Sequence, residues 1–436
     1  MRSFCGSCRR ASSSSFSSNL ALSTFLYPTA DGKLATFLHP DVTSDEFLSK
    51  MRFGNKALAN VDLPVFALGF RTGEMYHTLD LSVRADVGAN LTKDLFKFVK
   101  VGSADGTDNW NLSNLGARGE ARMELAYGLS RPIGDIVTVG ARVKMLMGLA
   151  KADIAMDKLS LKMNGEEWAV SAKGLANLSG PFTIQTKGQT GNADDPSQSN
   201  VLDWSSIAFP ETTEEIIDYF RKPSIGFALD LGVTVKLLEY ITLSAAVLDL
   251  GFMSWKDMLK ASTPEASWSF AGFENLSLNE DDPIGDQFAD MTEEFMDVIN
   301  VSKDGVSAKA ATPLSATIHL GAEAKMPFYE RLSFGLLGTQ KIAGPYSWTE
   351  GRLSMNLAPL RWFSLSASGA ISTFGTSLGG AVNLHMPGLT LFLGLDSFSP
   401  LLNMTPQFVP IDALNTNLTL GLNFAFGSYN GKFPKD

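Results

Sequence analysis

The chain has 436 residues, a formal net charge of −10 and a mean hydropathy of +0.04. That hydropathy, together with the lack of any apolar run of about 20 residues, excludes a bundle of membrane-spanning helices. The acidic balance, with a pI near 5.0, argues against nucleic acid as a partner.

The first 18 residues form an atypical N-terminus. Arginines precede a serine cluster at residues 12–15, and the continuous apolar core of a secretory signal is missing. We interpret this segment as a mis-assigned start, with an organelle transit peptide as the alternative. Cys5 and Cys8 are the only cysteines, and without a second pair they do not predict a zinc site.

Residues 19–63 form a mixed N-terminal segment, in which a short helix is expected at 45–51. From Pro64 to residue 427, large apolar residues alternate with small or polar ones. The pattern is clearest at 227–236 and at 418–426, where every second residue is leucine, valine or phenylalanine. Alternation with period two predicts strands whose two faces meet different surroundings.

Connections between the predicted strands differ in length. Asn164-Gly165 predicts a tight hairpin turn, and only about three residues separate the strands near residues 238 and 241. Residues 252–311, in contrast, read as one long, acidic, irregular loop. Residues 428–436 form a tail after the last strand.

We count about fourteen strands, with a range of 12–16, most of them longer than the 5–6 residues common in globular proteins. A strand that crosses a bilayer at a tilt needs about 9–11 residues. The predicted fold is therefore all-β, an antiparallel transmembrane β-barrel with short helices in the N-terminal segment and loops. A soluble β-protein is the alternative.

The composition of the polar phase supports the barrel. It holds mostly serine, threonine, glycine, alanine and asparagine with scattered charges of both signs, whereas the apolar phase is almost uncharged. A lysine or arginine on a lipid-facing wall costs about 2–4 kcal/mol at mid-depth, so this distribution suits a hydrated lumen inside lipid. The candidate lumen-lining residues are Asp80, Arg84, Arg122, Glu124, Arg142, Lys144, Asp230, Lys236, His319, Glu323, Lys325 and Arg352.

The segment from Pro223 to Trp255 carries a family resemblance. Its sequence is PSIGFALDLGVTVKLLEYITLSAAVLDLGFMSW. It contains a Gly-x-x-Leu-Asp-Leu-Gly strand, a tight turn and a second strand that ends in Asp-Leu-Gly-Phe and is followed closely by tryptophan. With SNLALSTFLYP, LATFLHPDVTSDEFL and VTVGARVKMLMGLA, it resembles uncharacterised Gram-negative outer-membrane barrels, a domain-of-unknown-function family. These barrels are distantly similar to long-chain fatty-acid transporter barrels and type IX secretion shuttle barrels.

The resemblance covers residue 19 to the C-terminus and implies a location in the bacterial outer membrane. It also implies lipid, lipopolysaccharide and the barrel assembly machinery as partners, and residues 19–63 as a plug of the lumen. The sequence departs from the family pattern in two places. Residues 1–18 do not resemble a signal peptide, and about ten residues follow Phe426, the final aromatic of the last strand.

Two sequence features could suggest a catalytic or metal-binding site, and neither supports one. Gly375-Thr376-Ser377-Leu378-Gly379 matches the nucleophile-elbow pattern, but strand alternation continues on both sides, where that elbow needs a strand turning into a helix. The acidic group at 280–294 lacks EF-hand ligand spacing, so we interpret it as a solvated loop. No catalytic residue, metal site or cofactor is therefore predicted.

Three functions follow from a barrel, and the sequence favours the first. The chain would be an outer-membrane transport conduit for small or hydrophobic ligands. The alternative is a non-transporting barrel that serves as anchor or partner platform for a secretion or surface assembly. A lipid-modifying enzyme is the least favoured, and we predict that the chain is not an enzyme.

Overall fold

The computed structural model describes residues 11–28, 34–52, 54–101, 109–164, 167–193, 196–221, 223–263, 266–270, 300–396 and 415–424. Strands dominate these residues. In chain order they are β1 (Ser12–Ser18), β2 (Leu26–Pro28), β3 (Leu34–Thr36), β4 (Gly54–Thr72), β5 (Met75–Thr92), β6 (Asn109–Asn111), β7 (Leu115–Ile133), β8 (Val137–Asn164), β9 (Glu167–Ser179), β10 (Ser224–Leu238), β11 (Ile241–Ser262), β12 (Ala266–Phe270), β13 (Ser302–Pro313), β14 (Ala316–Met326), β15 (Tyr329–Ile342), β16 (Trp348–Leu360), β17 (Phe363–Ser372), β18 (Gly375–Met386), β19 (Leu389–Asp396) and β20 (Asn415–Phe424).

The helices of the described residues are short. They are α1 (Leu22–Phe25), α2 (Ser44–Ser49), α3 (Lys93–Val101), α4 (Lys187–Thr190) and α5 (Thr213–Arg221), with 3-10 turns at Pro196–Asn200, Trp204–Ser206 and Gly344–Tyr346. Among them, none has the length and apolar character needed to cross a membrane.

Fourteen of the described strands close into one antiparallel barrel, which confirms the predicted fold class. The order around the ring is β4, β5, β7, β8, β10, β11, β14, β15, β16, β17, β18, β19, β20 and β1. Strand β1 closes the ring because it pairs with the last strand on one side and with β4 on the other. Ser13, for example, lies opposite Thr419 of β20 and Asp62 of β4.

Alternating side chains give the wall two different faces. On β10, Phe227, Leu231 and Val233 point outward and are exposed, whereas Ala228 and Asp230 are buried on the inner side. The last strand repeats this pattern, with its leucines and Phe424 outward. The outer wall is therefore a continuous apolar surface, as the alternation predicted.

The two rims of the barrel differ. At one rim, which we call the short-turn end, the described strands are joined by two or three residues, and Gly73 and Gly388 take positive φ there. At the other rim, the long-loop end, lie the long described connections and the described part of residues 19–53. Residues 343–347 and 373–374 are short exceptions at this end.

The barrel wall begins earlier in the chain than the predicted boundary at residue 64. Strand β1 lies within the atypical N-terminus, and β4 begins at Gly54. Residues 12–15 hid the strand because serine occupies both phases: Ser13, Ser15 and Ser17 line the interior, while Ser14 and Phe16 face outward. Without an apolar phase, no alternation marks the strand.

The described part of residues 19–53 lies at the long-loop end. Tyr27, Val42, Phe47 and Met51 form a buried aromatic and aliphatic cluster there with Phe96 of α3. The rings of Phe37 and Phe47 stack with centroids 4.4 Å apart. The resemblance implies that residues 19–63 plug the lumen. In the structure, the described part of residues 19–53 packs against α3.

The predicted irregular loop at 252–311 is strand at both of its ends. Strand β11 continues through Ser262, and β13 pairs with that upper half from Phe252 to Ser262. Trp255, Met253 and Met258 are buried there, since long neighbouring strands supply a core above the barrel. Residues 271–299, with the acidic group, lie outside the described residues, as do Phe426 and the tail at 428–436.

Candidate functional site in the barrel interior

The barrel encloses a cavity of about 880 Å³. Serines and asparagines of β1, β4 and β20 form one side of it, and charged residues of β5, β7, β8, β15 and β16 form much of the rest. These side chains all belong to the inward phase of their strands. The cavity wall is therefore mixed: charged and polar side chains alternate with apolar surface, and Tyr346, Trp348 and Phe374 form an aromatic group at the long-loop end.

A buried lysine joins two copies of Leu-Asp-Leu-Gly, at residues 229–232 and 248–251. Lys144 of β8 places its ammonium 2.7 Å from Asp230 Oδ1, and it also donates a hydrogen bond to Asp249 Oδ1. Asp249 has a φ of 60° at an irregularity in the pairing of β10 with β11, and its N–H donates to Asp230 Oδ1 at 2.8 Å. The bulge thus turns the second aspartate toward the first.

Arg84 extends this group across several strands. Its guanidinium lies 3.1 Å from Asp62 Oδ2, 3.4 Å from Glu124 Oε2 and 3.2 Å from Asp249 Oδ2. One cation therefore connects β4, β7 and β11. Arg142 forms a further pair with Asp80, which is fully buried.

A second arginine, Arg122, forms the neighbouring group. Its guanidinium contacts Glu120 and Glu124, each at 3.0 Å, and Asp86 at 3.4 Å. Lys341 of β15 reaches Asp86 of β5 at 3.0 Å, although these strands lie nearly opposite in the ring. We call all of these ion pairs together the interior ion-pair network.

Arg352 lies in a smaller, separate cluster. Its guanidinium contacts Glu350 at 3.0 Å and Asp396 at 2.7 Å, and it donates a hydrogen bond to Ser368 at 2.9 Å. Asn417 of β20 donates to the same aspartate at 3.4 Å. Both clusters pair each cation with carboxylates, which is the condition under which ionised side chains tolerate burial, and carboxylates outnumber cations in each.

The structure brings most of the candidate lumen-lining residues together. The seven that join the interior ion-pair network are Asp80, Arg84, Arg122, Glu124, Arg142, Lys144 and Asp230. Arg352 belongs to the smaller cluster, and His319 shares a hydrogen bond with Thr339 at 3.0 Å on the cavity wall. Arg84, Arg122, His319 and Arg352 line the cavity, whereas the network members Asp80, Glu124, Arg142, Lys144 and Asp230 do not. Lys236, Glu323 and Lys325 lie toward the short-turn end and do not line it either.

Sequence reasoning missed several members of the two clusters. The omitted residues are Asp62, Asp86, Glu120, Asp249, Lys341, Glu350 and Asp396. Asp86, Glu120 and Glu350 share the polar phase of their strands with residues that were selected, so a complete reading of that phase would have found these three. Asp249 was also marked by its place in the second Leu-Asp-Leu-Gly copy.

Ser377 of the elbow-like motif lies inside a regular strand. Strand β18 runs from Gly375 to Met386 without the strand-to-helix turn that places a nucleophile in such an elbow. The motif is thus embedded in the barrel wall.

Comparison with protein families gives one match. The family described as "Family of unknown function (DUF5723)" matches residues 11–396. This is most of the chain, so the chain belongs to that family. None of the curated proteins matches it.

Several solved barrels are similar in fold. The toluene transporter TodX of Pseudomonas putida is 8% identical, with 96% of this chain and 90% of that chain covered and a TM-score of 0.39. A Pseudomonas aeruginosa FadL homologue is 12% identical, with 95% and 88% covered and a TM-score of 0.35. A mutant porin of Rhodopseudomonas blastica is 11% identical, with 71% and 92% covered and a TM-score of 0.22. Likeness at this level carries no argument about function.

Proposed function

We propose that this DUF5723 chain is an outer-membrane barrel that serves as a conduit for small polar solutes. The observation that carries the proposal is the set of charged side chains that line the cavity inside a closed wall whose outer face is apolar. A wall with this distribution separates lipid outside from water inside.

The outer surface supports insertion into a bilayer. Large apolar side chains are exposed around the wall, among them Leu68 of β4, Tyr127 of β7, Phe227 of β10, Leu353 of β16 and Leu420 of β20. A water-soluble protein rarely exposes so much contiguous apolar surface. In the usual arrangement of such barrels, the short-turn end would face the periplasm and the long-loop end the exterior.

The interior favours a polar ligand over a hydrophobic one. A hydrocarbon that entered the cavity would displace water from ionised groups such as Arg122, Glu120 and Lys341 without replacing the hydrogen bonds. A polar solute replaces them. This narrows the sequence-based expectation of a small or hydrophobic ligand.

Proteoliposomes test the proposal directly. The folded barrel should admit small sugars and amino acids, measured by liposome swelling, and should conduct ions in planar bilayers. Myristate should not enter the cavity, and intrinsic fluorescence should not respond to it. An absence of both conductance and solute flux from barrel that remains heat-modifiable on gels would refute the conduit.

One observation favours the alternative platform function. The upper halves of β8 and β11 extend past the barrel. There β9 pairs with β8, β11 and β12, and β11 also pairs with β13, so that these strands form a sheet at the long-loop end. Such an extension can present a partner surface without any transport. Recovery of a specific envelope protein by cross-linking, combined with absence of flux, would favour this function over the conduit.

A further inference from the structure

The turn between β15 and β16 crosses the barrel interior. When β4 is counted as the first strand of the ring, β15 is the eighth of fourteen, so β4 and β15 lie on opposite sides of the barrel. Yet Tyr346 of this turn packs against Leu58 of β4, and Lys56 of β4 donates a hydrogen bond to Ser347 O at 2.9 Å. We call residues 343–348 the crossing turn. Contacts with β4 require it to span the lumen.

Two glycines on the opposite wall make room for the tyrosine ring. A Cβ at Gly88 would lie 2.9 Å from Tyr346 Cδ1, and one at Gly116 would lie 3.0 Å from Tyr346 Oη. The Arg118 guanidinium lies 4.4 Å from the ring centroid, a cation–π contact. The Tyr346 ring therefore packs against the backbone at Gly88 and Gly116 and against the Arg118 guanidinium. Only 6% of the residue is exposed.

The crossing turn is also internally fixed. The Ala343 N–H donates to Ser347 Oγ at 2.8 Å, and that hydroxyl donates to Gly344 O at 2.7 Å. Just before the turn, Lys341 forms its ion pair with Asp86 on the far wall. Both the turn and its attachment to the opposite strands resist displacement, so Tyr346 holds one position in the lumen.

We infer that Tyr346 is the residue that sets the size limit of the conduit. Its ring, with Phe374 and Leu58 beside it, narrows the lumen at the long-loop end of the cavity. A solute that passes must fit beside this ring or move it from its seat on Gly88 and Gly116. The inference deepens the proposed conduit function and rests on it.

Conductance of single barrels tests this inference. Tyr346→Ala should raise single-channel conductance several-fold and admit larger sugars in liposome swelling, while Tyr346→Phe should stay close to the parent. Phe328→Ala, which removes an exposed aromatic from a turn at the short-turn end, is the matched control and should change neither quantity. A conducting parent whose conductance Tyr346→Ala leaves unaltered would overturn the inference but retain the conduit.

Thiol labelling provides a second readout that does not need ion flow. With Cys5 and Cys8 replaced by serine, Thr339→Cys places a single thiol on the cavity wall. A bulky membrane-impermeant maleimide, added to whole cells, should label this thiol faster when Tyr346→Ala is also present. Equal labelling rates with and without Tyr346→Ala, including no labelling in either, would show that the ring does not restrict access. Loss of conductance and flux in every variant would instead count against the conduit itself.

Discussion

At the scale of single residues, the two Leu-Asp-Leu-Gly copies have unequal roles although their letters are the same. Both aspartates lie at the irregularity between β10 and β11, but Asp230 stays in register with Arg142 of β8, whereas Asp249 has positive φ and turns toward Lys144. The lysine is only 1% exposed and has a carboxylate on each side. Its charge is therefore tolerated only while both partners remain in place.

Removing the lysine charge should destabilise the barrel. Lys144→Met leaves Asp230 and Asp249 buried without their shared cation, and breaking a buried pair typically costs about 3–5 kcal/mol. The free energy of unfolding, measured by urea titration of the barrel in lipid vesicles, should fall by that order. Lys236→Met on the same sheet removes an exposed lysine and should change stability by less than about 0.5 kcal/mol. Equal effects of the two substitutions would contradict the buried-network interpretation.

The glycines of the two copies provide a second comparison. A Cβ at Gly251 would overlap Phe227 O and lie 2.6 Å from Ala228 Cα, whereas one at Gly232 meets nothing closer than 3.8 Å. Gly251→Ala must shift backbone and should cost about 1–3 kcal/mol. Gly232→Ala should be close to neutral in the same urea titration. A neutral Gly251→Ala would mean that the two strands are farther apart at this point than described.

At the scale of elements, the long connection between β9 and β10 is organised by one aspartate. Asp203 accepts hydrogen bonds from Ser205, from Thr190 at the end of α4 and from Asn192, the last two at 2.7 Å. These bonds, first that of Ser205 and then those of Thr190 and Asn192, lower the pKa of Asp203 to about 2. One carboxylate thus joins two turns that are separate in sequence.

The connection should therefore loosen in acid. Because the folded pKa is below the unfolded value of about 3.9, the stabilisation is present above that value and is lost as the pH falls toward 2. Hydrogen exchange of a peptide covering 196–206, corrected for intrinsic rates, should accelerate between pH 4 and pH 2. Asp203→Asn should already exchange fast at pH 5 and should lose that pH dependence. Asp41→Asn, in an exposed turn, serves as control and should leave this peptide unaffected.

At the scale of the whole molecule, closure depends on a strand of seven residues. Strand β1 is the only described strand between β20 and β4. Its serine side chains make few hydrogen bonds in addition to the backbone pairing with these two strands. Without it, two long strand edges would be left unpaired. In a bilayer, such edges carry a cost of several kcal/mol for each unsatisfied backbone group.

Deletion of residues 12–18 should therefore prevent formation of the closed barrel. We expect the heat-modifiable band on gels to disappear and the chain to become sensitive to protease. The triple variant Ser13→Thr, Ser15→Thr and Ser17→Thr keeps the inward hydroxyls and should retain the band. A deletion variant that still shows heat modifiability would mean that β4 and β20 can pair directly.

Much of this architecture could be predicted from the sequence because alternation is a local property. The outward leucines of β20, the pairing of β8 with β9 and the number of strands all follow from period two and from local turn residues, although residues 165–166 of the predicted turn lie outside the described residues. Seven interior charges were found for the same reason. Strand β1 and the upper half of β11 were missed, because in neither segment do apolar residues on one face alternate with polar residues on the other.

The sequence by itself determined that the chain forms a barrel with an apolar outside and a polar inside. Which inward residues meet each other was decided only by ring closure and strand register, because those place residues far apart in the chain on facing walls. Lys341 meets Asp86, and Tyr346 rests on Gly88 and Gly116, across the full width of the lumen. No periodicity encodes such contacts. They arise when fourteen locally specified strands close on themselves.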